Sequence, residues 1–127
     1  MAMTLEQQRA ADAWQRSAGC TEEYTRLVKG VPALIMNSGL IQVLLHLQDK
    51  AGADEKKPHP QLGKHLREWL SNRFPKRLPD AAFAPFMQAL MGADPQDFQQ
   101  ITAEAMAWLR WMRQIAPARQ KLNAQTA

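Results

Sequence analysis

The chain has 127 residues, 46% hydrophobic and 22% charged, with a formal net charge of +4. These proportions match one ordinary globular domain large enough to bury a core, and they exclude a disordered chain. The longest apolar runs, 31–36 and 40–45, fall far short of the roughly 18–20 residues of a membrane span. The opening residues lack the basic and apolar regions of a secretory leader, and the single Cys20 allows neither an internal disulfide nor a multi-cysteine zinc site. A cytoplasmic protein with no membrane contact is the expectation.

Ala, Leu and Gln supply 47 of the 127 residues, whereas Val, Ile and Thr together number 12. The first three favour helices and the last three favour strands. No strand-length alternation and no Asn-Gly or Asp-Gly hairpin signal is present. The predicted fold is all-α: a single-domain helical bundle of about five to seven helices spanning 1–127, with an ordered core over about 4–116.

A first helix is predicted over 5–17, with Thr4 as N-cap and Glu6 in its first turn. Gly19 stops it, and Thr21 caps a second helix carrying Tyr24, Leu27 and Val28, which Pro32 either kinks or divides. Asn37-Ser38-Gly39 interrupts before Leu40, Ile41, Val43, Leu44, Leu45 and Leu47. That apolar run reads as a central helix over 40–50, since a helix apolar nearly all round belongs inside a bundle. Residues 50–61 read as a loop. Helix resumes with Leu62, Leu66, Trp69, Leu70 and Phe74 on one face and Lys64, Arg67 and Ser71 on the other. Asp80 is predicted to cap a helix burying Phe83, Phe86, Met87 and Leu90. Asp94-Pro95 opens the last helix, whose stripe of Phe98, Ile101, Ala105, Trp108, Leu109, Met112, Ile115 and Ala116 has the clearest helical period in the chain. Pro117 is predicted to end it and leave 117–127 as a frayed tail.

Enzymatic signals are thin. His46, His59 and His65 form no helix-borne metal pair, so no metal site and no cofactor are expected. His46 reads as a hydrogen-bonded core or boundary residue, and Cys20 as an inert thiol. Trp14, Trp69 and Trp108 read as core anchors. Trp111 falls about 60° off the stripe of Trp108 and Met112 and is a candidate for a subunit interface.

The cations are unevenly placed. Residues 64–77 carry Lys64, Arg67, Arg73, Lys76 and Arg77 against Glu68, and 110–121 carry Arg110, Arg113, Arg119 and Lys121 with no acid. The plain reading is a solvated helix face. Against it, Arg110, Arg113 and Arg119 lack the acidic i±4 partners of simple helix-stabilising pairs, whereas Lys64 has Glu68. The candidate nucleic-acid-binding residues, chosen on charge, are Lys64, Arg67, Arg73, Lys76, Arg77, Arg110 and Arg113, with Arg9 and Arg16 as outside candidates.

Four stretches resemble a known family. They are Gln7-Gln8-Arg9-Ala10; Tyr24 to Lys29 leading into Val31-Pro32-Ala33-Leu34-Ile35; Asn37-Ser38-Gly39-Leu40 with the apolar helix to Leu47; and Thr102-Ala103-Glu104-Ala105 leading to Trp108-Leu109-Arg110-Trp111-Met112-Arg113. In order and spacing, over roughly 5–116, they resemble the small helical subunit of the Cmr complex, the type III-B CRISPR RNA-targeting effector. The family's usual Asn-Gly-Leu appears here with Ser38 inserted. The resemblance implies a non-catalytic bundle, several copies of which stack along the backbone subunits that carry guide RNA. With the large subunit these copies form a basic groove for target RNA. The implied partners are the backbone and large Cmr subunits, further copies of this chain, and guide and target RNA. The runner-up is a helical protein–protein adaptor with no nucleic-acid contact. A small DNA-binding bundle would need a helix-turn-helix, which the 18–21 junction only imitates.

Overall fold

The computed structural model describes residues 2–126, and these form six α-helices and one 3₁₀ turn. Helix α1 spans Leu5–Arg16 and starts in a capping box: Thr4 Oγ1 accepts from the Gln7 amide at 3.1 Å, and Gln7 Oε1 accepts from the Thr4 amide at 2.8 Å. Thr21 caps α2, Glu22–Ser38, by accepting from the Tyr24 amide. Pro32 neither divides nor ends this helix. Val28, Val31 and Ile35 are buried around it, so packing on both sides offsets the lost backbone donor.

Gly39 is the whole connection between α2 and α3 (Leu40–Asp49), with φ +86° and ψ 159°. A side chain is strained in that region, which is why the chain turns here and at no bulkier residue. The 3₁₀ turn, Lys50–Ala53, follows. Helix α4, Pro58–Arg73, begins inside the segment read above as a loop. Prolines there are compatible with helix, because first-turn amides have no intrahelical acceptor to lose. Helix α5, Phe83–Met91, starts three residues after Asp80. Asp80 accepts from the Ala82 amide in the turn leading in, rather than capping the helix itself.

Helix α6, Pro95–Thr126, is 32 residues, about 48 Å, with Asp94 Oδ1 accepting from the Asp97 amide at its start. It does not end at Pro117. Arg113, whose carbonyl loses its donor, lies on an exposed turn, and contacts on both sides of the proline hold the helix on course. The Cys20 thiol donates to the Ala116 carbonyl at 3.4 Å, and the Arg119 guanidinium lies 4.4 Å from the Trp14 ring centroid. The tail predicted to fray is thus helical to Thr126.

One continuous core draws on α1–α6, with Tyr24, Leu40, Leu44, Leu47, Leu62, Leu66, Leu70, Phe86 and Trp108 essentially inaccessible. Trp69 and Trp108 are anchors as predicted. Trp14 is not: α1 turns Ala13 and Ser17 inward, and Trp14, one helical step away, is 45% exposed. His46 is exposed as well, its ring edge-on to that of His59 at 5.9 Å.

Candidate nucleic-acid interface

The basic residues separate by what holds them. At the centre of the α1–α4–α6 junction sits Glu104, 4% exposed. It accepts from Arg9 through Nε at 2.7 Å and Nη2 at 2.9 Å, from Arg73 Nε at 3.2 Å and from Trp69 Nε1 at 3.2 Å. Burial by itself would raise this carboxyl's pKa; the hydrogen bonds and charges of Arg9 and Arg73 outweigh it and hold the group below the usual carboxylate range. Arg9 also pairs with Glu6. Arg16 is held by Asp12 at 2.9 Å and Glu68 at 2.6 Å. Arg9, Arg16 and Arg73 therefore tie helices together.

Arg67, assigned to the outer face from its spacing, is buried. Its Nη1 donates to the Ala81 carbonyl at 2.7 Å and its guanidinium lies 5.4 Å from the Phe83 centroid, fastening the segment before α5. Helical period alone could not reveal this, because the 74–82 turn folds back over that side of α4. Lys64 pairs with Glu55 at 2.9 Å rather than with Glu68, which Arg16 occupies. Arg77 reaches Asp97 at 3.1 Å and Gln100 at 2.9 Å. Both are partly exposed.

Among the described residues, the predicted RNA-binding cations that are exposed and have no carboxylate in ion-pairing range are Lys76, Arg110 and Arg113. The two arginines point outward from α6 because Trp108, Leu109 and Met112 on the same turns point inward. Arg110, Arg113, Pro117 and Lys121 follow i, i+3, i+7, i+11 spacing and so share one stripe about 16 Å long. Its far end opens into a groove of about 340 Å³ between α2 and α6, lined on the α2 side by Glu22, Thr25, Arg26 and Lys29. Arg26 and Lys29 lie outside the sequence-based candidates; Arg26 pairs with Glu22 at 3.2 Å, and Lys29 follows it at i+3 on the same side of α2.

Trp111 is half-buried at the edge of the core, and its indole N–H donates to Glu6 at 2.7 Å. Its polar atom is thus satisfied within the chain, while part of its ring stays open at the α1–α6 edge. The Tyr24 hydroxyl and His65 Nδ1 are 2.8 Å apart. Burial, then the charge of Arg16, pushes the His65 pKa down to about 4, so the ring is neutral at pH 7 and Nδ1 can accept from the phenol. Burial raises the Cys20 thiol, opposite to the shift that activates a nucleophile. No group of three or more potential metal ligands occurs among the described residues.

The chain is thus an all-helical, single-domain bundle that holds most of its inner arginines on carboxylates and leaves Arg110 and Arg113 unpaired on one outer helix. The family model described as CRISPR-associated protein (Cas_Cmr5) matches residues 5–119, and the chain belongs to that family, the small subunits of the type III-B Cmr complexes. The family seen in the four sequence stretches is thereby borne out, and membership of a Cmr complex with other subunits follows. No curated protein matches the chain. No helix among the described residues is long and apolar enough to cross a membrane.

Proposed function

We propose that this chain is a non-catalytic cytoplasmic subunit that stacks in several copies along the guide-RNA backbone of its complex and lends a basic face to the groove holding target RNA. The observation that carries this reading is the α6 stripe of Arg110, Arg113 and Lys121, cations with no carboxylate to neutralise them. Such groups bind phosphates without reading sequence, which suits a complex in which guide–target pairing does the reading. Lys76 and Arg77 offer a second contact away from this stripe, since Arg77 is held at Asp97 and Gln100 on another side of α6. Lys64 joins RNA by exchanging its exposed partner Glu55 for a phosphate, a small cost because exposed ion pairs are weak. Arg67, Arg73, Arg9 and Arg16 serve the fold.

The protein contacts fall to exposed apolar side chains, chiefly Leu34, Met36, Leu45 and Met91, together with the open part of Trp111. That same exposure favours the second reading, an adaptor that meets proteins alone. RNA binding decides between them. Replacing Arg110 and Arg113 together by Ala weakens RNA binding and flattens its log–log salt dependence by up to about two units. An unchanged slope refutes the two residues as phosphate contacts.

A further inference from the structure

We infer that Trp14 and Arg119 form a stacking site for an unpaired nucleobase of single-stranded RNA, an inference that rests on the RNA-binding reading above. Nearly half of Trp14 is open to solvent. Its neighbours one turn back on α1 are Ala10 and Ala11, whose short side chains shield little of the indole. The ring is therefore part covered and part open at the surface, packed against one cation of α6. That cation is Arg119, whose guanidinium lies 4.4 Å from the ring centroid.

The guanidinium has no carboxylate in ion-pairing range, and its Nε is buried without a hydrogen-bond partner. A fully structural arginine ends in acceptors, as Arg9, Arg16 and Arg67 do here. Arg119 ends on a ring, with its terminal nitrogens left for an acceptor from outside. An aromatic platform beside an unpaired cation matches one nucleotide: the base packs on the open indole surface while the guanidinium donates to the adjoining phosphate. Bases inside a duplex have both faces covered by their neighbours, so the ligand is an unpaired nucleotide. A protein partner is the competing occupant, since Trp and Arg also anchor protein interfaces. The absence of any acid in 110–121 and the net charge of +4 favour a polyanion.

The test uses the full chain with Trp14→Ala, Trp14→Phe or Arg119→Ala, titrated at several salt concentrations. The ligands are a single-stranded RNA and an abasic ribose-phosphate strand of equal length. Trp14→Ala should weaken binding of the base-bearing strand by about 5- to 150-fold with an unchanged salt slope, and leave the abasic strand unaffected. Trp14→Phe should retain most of the affinity. Arg119→Ala should lower the slope by about one unit. Equal loss on both strands, or no loss on either, overturns the stacking site, and a Trp14 contact made to protein gives the latter result. A wild-type chain that binds neither strand overturns the RNA-binding reading and this site with it. Binding lost in the Arg110/Arg113 double variant but kept in Trp14→Ala overturns the stacking site alone.

Discussion

Replacing Glu104 by Ala should be among the most damaging single substitutions outside the apolar core. The change leaves the guanidinium groups of Arg9 and Arg73 and the indole N–H of Trp69 without their shared acceptor at a site only 4% exposed. Removing one partner of a buried ion pair costs about 3–5 kcal/mol. Arg73 is 30% exposed and recovers some hydration, while Arg9, at 14%, recovers little, so a loss of about 3 kcal/mol is expected. In a chain of this length each kcal/mol shifts the melting temperature by about 4 °C, giving a fall of about 12 °C. Glu104→Gln keeps the volume and one acceptor oxygen but loses the charge, and should fall between wild type and Ala. Urea denaturation of the full chain at pH 7, with the m-value checked for constancy, measures the loss. A cost below about 1 kcal/mol for Glu104→Ala would refute the argument, because it would place the cluster with ordinary surface ion pairs. The pH dependence gives a second reading. The folded carboxyl titrates below the unfolded value of about 4.3, so its contribution is complete above that pH and is lost as pH falls through the lower folded value. Glu104→Gln should remove that part of the acid limb.

His65 acts in a higher window. Its folded pKa of about 4 lies below the unfolded value of 6.5, so the unfolded state binds the extra proton between them and stability falls as pH drops across that range. The loss approaches about 3 kcal/mol, and His65→Gln should flatten the stability profile from pH 6.5 to 4 while leaving the Glu104 limb below it. At the α2–α3 corner, Gly39→Ala should cost about 1–3 kcal/mol, because φ +86° with ψ 159° strains any side chain although no neighbouring atom lies in the way. A neutral result in thermal denaturation would show that the corner relaxes to another conformation.

Much of the architecture was legible in the chain alone. The Thr4, Thr21 and Asp94 caps, the apolar central helix and the long stripe through Trp108 are local patterns, fixed by hydrogen bonds and periodicities reaching a few residues. Pro58 obeys a local rule, since a first-turn proline gives up no intrahelical bond, whereas Pro117 and Trp14 depend on non-local packing: the proline penalty at 117 is offset by Cys20 and Trp14 packing on α6, and Trp14 is left outside because α1 turns Ala13 and Ser17 inward. The site divides in the same way. Charge, spacing and the lack of acids around Arg110 and Arg113 are properties of the sequence, and their exposure follows from the stripe opposite. Which other arginines are spent on the fold was decided only by tertiary structure. Arg9 and Glu104 are 95 residues apart in sequence, and Arg16 and Glu68 are 52 apart. Net charge counts such residues equally whether they face water or each other, and only the packing of α1 and α4 against their partners makes the distinction.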